Sequence, residues 1–128
     1  MQQLRSWTST YALDRRARMS DLSRMWGVTP RALRFYEECG LIDADRDRRN
    51  RRLYDRKAVD RLELIVELRK AGVGLNDIRE VLSAEGDAAE ALQIAMGKLD
   101  ARRSELHSAL GAVDHVAERL RTVRAAAA

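Results

Sequence analysis

Apolar residues recur at helical spacing over most of the chain, and the breaks between these segments separate five predicted helices. The first two are short and lie within residues 20–42. The third covers Arg56 to Arg69, and its apolar positions at helical spacing are predicted to form the core: Val59, Leu62, Ile65, Val66 and Leu68. After a break from Ala71 to Gly74, a shorter helix opens at Leu75 with three residues predicted to face inward: Ile78, Val81 and Leu82. The last helix spans residues 87–124. This order predicts a mostly α-helical fold.

Residues 20–42 carry the capping signals of two short helices joined by a tight turn. Ser20 is suited to cap the first helix, and Gly27 is suited to the left-handed position that ends it. Thr29 can cap the second helix through its hydroxyl, and Pro30 fits the first helical position. This segment is predicted to be a helix-turn-helix.

The second helix of this pair has two different faces. Leu33 and Tyr36 share one face, while Arg31, Arg34 and Phe35 lie around the other side. The first face is expected to pack and the second to carry positive charge. For Tyr36 two roles stay open, namely core packing with an outward hydroxyl and direct contact with DNA.

Residues 43–56 are too charged and too rich in turn formers for a core helix. After Asn50, the segment from Arg52 to Tyr54 resumes an alternating pattern, which favours a short basic β-hairpin. A solvated charged loop is the alternative. The position of the segment, directly after a helix-turn-helix, favours the hairpin, or wing.

The long helix at 87–124 carries an apolar seam over about five heptads. Arg103 and Gly111 interrupt or flank this seam. At 1.5 Å per residue the helix is roughly 55 Å long, too long for a small domain to cover its seam, so pairing with a second copy is favoured over folding back. The seam positions predicted to mediate dimerisation are Leu92, Met96, Leu99, Leu106, Leu110, Val113, Ala117 and Leu120.

Composition and charge limit the functions that this chain can have. The chain has 128 residues, 45% apolar and 5% aromatic, which suggests one small core with no room for a large substrate cavity. Residues 1–61 hold 15 of the 24 basic and 9 of the 20 acidic side chains, a net charge of +6, and the remainder holds −2. The basic half is where a polyanion is expected to bind.

The sequence does not support an enzyme, a membrane protein or a protein with an internal disulfide. The chain shows no triad of catalytic residues, no glycine-rich phosphate loop and no paired inward carboxylates, so an enzyme is not expected. Its apolar runs are shorter than a membrane span, and its single cysteine excludes an internal disulfide. A cytoplasmic protein without cofactor or metal is expected.

In residues 1–16 the apolar positions show neither a helical nor a strand spacing, although Trp7, Tyr11 and Leu13 would suit a weak strand. Arg15, Arg16 and Arg18 are better interpreted as solvated side chains than as phosphate contacts. No chemistry is assigned to this extension.

The sequence resembles the MerR family of bacterial transcription regulators over roughly residues 17–84. The resemblance is carried, in order and spacing, by GVTPRALRFYEECGLI, then RRLYD, then VDRLELIVELRKAGVGLNDIREVL. It implies a winged helix-turn-helix domain followed by a long helix that pairs antiparallel as a coiled coil in a homodimer. It also implies binding to a pseudo-palindromic promoter element in double-stranded DNA, with RNA polymerase at the same promoter.

Carried over by position, the resemblance assigns DNA contact to seven residues. The recognition-helix positions are Thr29, Arg31, Arg34, Phe35 and Tyr36, and the wing positions are Arg52 and Tyr54. Two features depart from the family. Arg51 replaces an aromatic residue, which predicts a wing that is more electrostatic and less packed, and the extension before residue 17 is unusually long.

The resemblance leaves the inducing signal open. Family members sense ligands through cysteines near the end of the long helix or through a separate C-terminal domain, and neither is expected in residues 85–128. Cys39 is better interpreted as a packing residue than as a redox sensor. His107 and His115 are better interpreted as surface or seam residues than as a metal site.

The alternative function is an architectural or partner-dependent DNA-binding module, in which the long helix engages a different coiled-coil protein. Preference for particular DNA sequences distinguishes these two functions. A regulator binds a few inverted repeats, whereas an architectural protein coats DNA with little preference. For domains, we predict an extension at 1–16, a DNA-binding domain at 17–84 and a dimerisation helix with a short tail at 85–128.

Overall fold

The computed structural model describes residues 16–84 and 88–128. Predictions about Trp7, Tyr11, Leu13 and Arg15 lie outside these residues. The structure is mostly helical with one small sheet, as predicted. In chain order its elements are β1 (Ala17–Arg18), α1 (Met19–Trp26), α2 (Pro30–Glu38), β2 (Asp45–Arg46), β3 (Arg52–Tyr54), α3 (Arg56–Lys70), α4 (Leu75–Ser83) and α5 (Ala88–Ala127).

Helix α1 begins at Met19, so the prediction that Ser20 caps it is wrong. The backbone N–H of Arg18 instead donates to the Asp21 carboxylate at 2.9 Å. A carboxylate in the first turn also interacts favourably with the helix dipole. The helix ends at Gly27, whose φ of +66° is the left-handed conformation predicted there.

Helix α2 begins as predicted. The Thr29 hydroxyl accepts a hydrogen bond from the backbone N–H of Ala32 at 3.1 Å, and Pro30 is the first helical residue. Leu33 is fully buried, whereas Arg31 and Arg34 are exposed, which confirms the two predicted faces. Tight capping at its start therefore holds the cationic face in a defined orientation.

The predicted hairpin is present and belongs to a larger sheet. Strand β3 pairs antiparallel with β2, and Arg46 lies opposite Arg52. Strand β1 pairs with the other edge of β3, and Ala17 lies opposite Tyr54. This third strand was not predicted, because a two-residue strand is too short to show a period of two.

Residues 16–70 form one compact unit with its own apolar core. Helix α1 contacts α2, α3 and β3, and α3 also contacts β3. Each fully buried aliphatic side chain contributes about 1.5–3 kcal/mol relative to an exposed one. All five predicted core positions of α3 are buried, together with neighbours from α1, α2 and the loop after it: Val59, Leu62, Ile65, Val66, Leu68, Leu22, Leu33, Leu41 and Ile42.

Residues 71–84 and 88–128 form a second unit, so α4 groups with the long helix. The predicted inward residues Ile78, Val81 and Leu82 are buried. Helix α5 has 40 residues, which gives a length of about 60 Å at 1.5 Å per residue. The Lys98 ammonium pairs with Asp77 at 3.1 Å and Glu80 at 2.6 Å, which fixes α4 on α5.

Candidate nucleic-acid interface

The outer face of α2 presents two cations and an aromatic ring to solvent. Arg31, Arg34 and Phe35 are exposed, and 45% of the Phe35 surface is accessible. Thr29 is also exposed, at the start of the helix, although its hydroxyl is used in capping. Guanidinium groups can donate to phosphates and to guanine edges, and an aromatic ring can contact a thymine methyl group.

Tyr36 lies between the two faces of α2 and is half-buried. Its ring is 6.1 Å from that of Phe35, centroid to centroid, at an angle of 53°. This tilted arrangement is a favourable one for an aromatic pair. Packing and an outward hydroxyl are therefore compatible, and both roles of Tyr36 stay open.

A carboxylate that was not singled out in the sequence connects α2 to the wing. Arg52 donates through Nε to the two oxygens of Glu37 at 3.0 and 3.2 Å, and the Tyr54 hydroxyl donates to Oε2 at 3.3 Å. The Arg52 and Glu37 side chains are 27% and 18% exposed, so water screens this pair less than a surface pair. Glu37 thus holds the wing arginine at a fixed place beside α2.

Tyr54 occupies a different environment from the one expected of a phosphate contact. The residue is completely buried, and its hydroxyl is directed at Glu37. Burial, reinforced by the negative charge of Glu37, raises the pKa of Tyr54 to about 12, so it remains a hydrogen-bond donor at neutral pH. The structure therefore places Tyr54 beneath the basic surface, where it supports Glu37 without being accessible to a phosphate.

The wing loop is organised by Asp47. Its Oδ1 accepts the backbone N–H groups of Arg49 and Arg51 at 2.9 and 2.8 Å, and its Oδ2 accepts Nε of Arg51 at 2.9 Å. The hydrogen bond from the Arg51 backbone, with help from the others, lowers the pKa of Asp47. Asn50 adopts a left-handed φ of +63° to close the turn. Arg51 is thus held in an ion pair with Asp47.

Three basic residues outside the predicted set lie close to Arg52. Arg18, Arg46 and Arg51 line a surface cavity with it, which has a volume of about 410 Å³. The cross-strand position of Arg46 opposite Arg52 could have been read from a register assignment of the hairpin. Arg18 could not have been placed there, because the pairing of β1 with β3 joins residues distant in sequence.

The apolar stripe of α5 is exposed along its length. Six of the predicted seam residues are more than half exposed, while Leu99 and Ala117 are partly buried. Arg103, which interrupts the seam, is 73% exposed and pairs with Asp100 on the same helix. The structure adds Val116 and Val123 to the stripe, at 51% and 63% exposure. A stripe of exposed apolar side chains is typical of a surface that binds a partner.

Other kinds of site are not indicated. Within residues 16–84 and 88–128, His, Cys, Asp and Glu form no group of three that could hold a metal ion. His107 and His115 are exposed on α5, and Cys39 is half-buried at the end of α2. None of the helices described combines the length and the apolar character needed to cross a membrane.

Two family profiles match the chain. The profile described as MerR HTH family regulatory protein matches residues 17–85, and the one described as MerR, DNA binding matches residues 59–123. The chain is 31% identical over 104 residues to the HTH-type transcriptional regulator CueR of Bacillus subtilis, which covers 81% of this chain and 73% of CueR. It is 41% identical over 69 residues to the nodulation protein NolA of Bradyrhizobium elkanii, and it spans only 32% of NolA.

Solved structures agree on the fold. The transcriptional regulator SkgA from Caulobacter crescentus is 28% identical, with a TM-score of 0.55 over 84% of this chain and 78% of SkgA. HiNmlR, a MerR family regulator lacking the sensor domain and bound to promoter DNA, has a TM-score of 0.57 at 24% identity, over 76% of this chain and 80% of HiNmlR. At that identity the HiNmlR likeness supports the fold alone.

Proposed function

Since the chain belongs to the MerR family of transcriptional regulators, we propose that it binds a pseudo-palindromic promoter element as a homodimer and regulates transcription there. The observation that carries this proposal is the exposed cationic face of α2 beside an ordered basic wing. Both belong to one compact unit, and Glu37 joins them through its hydrogen bonds to Arg52 and Tyr54.

The exposed residues of α2 are assigned to sequence recognition. Helix α2 is the second helix of the motif and would lie in the major groove, where each base pair presents a distinct set of donors and acceptors. Arg34 is assigned to a base edge and Phe35 to an apolar contact. Arg31 and Thr29, near the start of the helix, are assigned to contacts with the DNA phosphates that flank the groove.

The wing residues are assigned to contacts with the sugar–phosphate backbone of the DNA, which position the protein on the duplex. Arg52 uses only Nε in the hydrogen bonds that hold it to Glu37, so its two terminal nitrogens are left to donate to a phosphate. Tyr54 is assigned a supporting role because it is buried. Tyr36 is retained as a contact through its hydroxyl.

The homodimer is proposed from the exposed stripe of α5. Pairing two such helices would bury the stripe and present two recognition helices, whose separation would match half-sites one helical turn or a multiple apart. An antiparallel coiled coil gives the two-fold symmetry that a pseudo-palindrome requires. Contact with RNA polymerase at the promoter is part of the same proposal.

Selection of bound fragments from sheared genomic DNA of the source organism tests this function. We expect a few inverted repeats to be enriched, with strong discrimination against unrelated fragments at physiological salt. The Arg34→Ala protein serves as the matched control, and we expect it to select a less defined sequence. Uniform recovery of fragments by the parent protein would instead favour the architectural module.

A further inference from the structure

We propose that Arg103 of α5 forms an ion pair with Asp114 of the partner subunit, and that this pair selects a second copy of this chain as the partner of the long helix. The proposal rests on the proposed function and deepens it, because it names the contact that decides which helix α5 pairs with. Arg103 is the charged residue that interrupts the seam between Leu99 and Leu106. A charged seam position lowers the stability of a coiled coil and specifies its alignment.

The extent of the exposed stripe defines how two copies overlap. The stripe runs from Leu92 to Val123, and the seam positions within it are spaced alternately by four and three residues. Two antiparallel copies bury the whole stripe when its midpoint, at the level of Ser108, lies on the two-fold axis. Sliding one helix by a heptad in either direction leaves the end of each stripe without the partner's stripe beside it.

This alignment brings Arg103 beside an acidic residue of the other copy. It places Arg103 level with Val113 of the partner subunit, and the partner's Asp114 is the next residue along that helix. In an antiparallel pair, the positions that directly follow Leu99 and its heptad equivalents line one edge of the interface. Asp100 and the partner's Asp114 both lie on this edge, with Arg103 between them. The two carboxylates would repel each other, and the guanidinium group offsets this repulsion.

In the single chain both side chains are available for this contact. The Arg103 side chain is 73% exposed and reaches Asp100 through one terminal nitrogen at 3.7 Å, which leaves its other N–H groups free to donate. Asp114 is exposed, and the residues three and four positions away from it carry no positive charge. Among the described residues of α5, its carboxylate therefore has no cation within one helical turn, and a second copy supplies one.

The pair gives α5 a means of rejecting other helices. A charge that is buried without its partner is strongly destabilising, because nothing compensates for its lost hydration. A long helix that lacks an acidic residue at this level would leave Arg103 in that condition. The homodimer instead contains two pairs of Arg103 with the partner's Asp114, one on each side of the two-fold axis. Self-association is therefore favoured over pairing with another apolar helix.

Charge reversal on each side of the pair tests the proposal. Arg103→Asp alone brings carboxylates together across the dimer, and Asp114→Arg alone brings guanidinium groups together. Each variant should therefore associate with itself at least about tenfold more weakly than the parent does. An equimolar mixture of the two variants should form a dimer, because each mixed dimer contains two oppositely charged pairs. Sedimentation velocity over a concentration series measures the association, and circular dichroism measures the helix content.

Two controls separate the contact between helices from changes within one helix. The double variant with Arg103→Asp and Asp114→Arg restores both pairs in one chain and should dimerise as the mixture does. Arg119→Asp makes the same charge change at an exposed position outside the seam and should dimerise as the parent does. Arg103→Asp also loses its contact with Asp100 on the same helix, but the mixture shares this loss. Recovery of the dimer in the mixture therefore measures the contact between helices.

The outcomes distinguish failure of the pair from failure of the dimer. A dimeric parent whose two variants do not complement each other would overturn the pair and leave the proposed homodimer intact. An Arg103→Asp protein that dimerises as tightly as the parent would overturn the pair in the same way. A monomeric parent would refute the homodimer and the pair together, and it would favour the alternative in which another protein covers the stripe.

Discussion

The Arg102 guanidinium lies against Gly72, so closely that a Cβ added to this glycine would come within 2.7 Å of Nε. The same guanidinium group donates through Nε to the Ala71 carbonyl oxygen at 3.1 Å. Gly72 also has a left-handed φ of +83°. The backbone angle therefore requires glycine at the turn before α4, and a side chain there would also displace the Arg102 guanidinium from Ala71.

Gly72→Ala should lower the free energy of unfolding by about 1–3 kcal/mol, because it combines an unfavourable φ with displacement of the Arg102 side chain from its hydrogen bond to Ala71. Chemical denaturation at fixed protein concentration measures the change. Gly97→Ala is the control. Gly97 lies inside α5 with open space around its Cβ position, so this change should stabilise by about 0.5–1 kcal/mol. A Gly72→Ala protein as stable as the parent would contradict the left-handed geometry of this turn.

Leu106→Glu should convert the proposed dimer to monomer. Leu106 is 51% exposed in the single chain and lies in the middle of the stripe, so a dimer would bury the new charge without a partner at a cost of several kcal/mol. Sedimentation velocity measures the mass. Ser108→Glu adds the same charge on the opposite side of the helix and should leave the dimer intact. A dimeric Leu106→Glu protein would argue against the stripe as the interface.

Arg34→Ala and Arg52→Ala should weaken DNA binding in different ways. Loss of a base contact at Arg34 should cost about 1–3 kcal/mol and relax the preference at one base pair. Loss of a phosphate contact at Arg52 should affect all sites alike and lower the salt slope by about one. Binding isotherms on operator variants at several salt concentrations separate these effects. Parental affinity in both variants would rule out the proposed docking.

The wing should lose order at low pH through Asp47. Because the pKa of this carboxyl is lowered in the folded protein, its contribution to stability is complete above the unfolded value of 3.8 and disappears as the pH falls through the folded value. The stability difference between the parent and Asp47→Asn should therefore shrink below about pH 3.8. Thermal unfolding of both proteins over this range provides the measurement. A difference independent of pH would exclude the ionised carboxylate as its cause.

We predict that the inducing signal does not act through Cys39 or a bound metal. Cys39 is the single cysteine and lies at the end of α2, and among the described residues the histidines of α5 belong to no group of three potential metal ligands. Cys39→Ser should leave promoter output unchanged with or without oxidant, and a chelator should have no effect on the parent. An oxidant response that disappears in Cys39→Ser would identify this thiol as the sensor.

The sequence by itself determined the helices and, for α2, α3 and α4, the face that each one buries. Periodicity and caps are local properties, so the buried positions of α3, the cap at Thr29 and the turn at Gly27 could be predicted from nearby residues. The exposed cationic face of α2 followed in the same way. The start of α1 could not be predicted as well, because Ser20 and Asp21 both suit a helix start and only the geometry selects the carboxylate.

Only the tertiary structure decided which distant side chains meet. Glu37 and Tyr54 are 17 residues apart, and their hydrogen bond depends on how β3 packs beside α2. Likewise, Arg18 lines the same surface cavity as Arg52 only because β1 pairs with β3. Such contacts arise from the closure of long loops, which leaves no periodic trace in the sequence. For this reason the cationic face of α2 could be predicted from the residues, whereas the burial of Tyr54 and the grouping of Arg18, Arg46 and Arg51 with Arg52 could not.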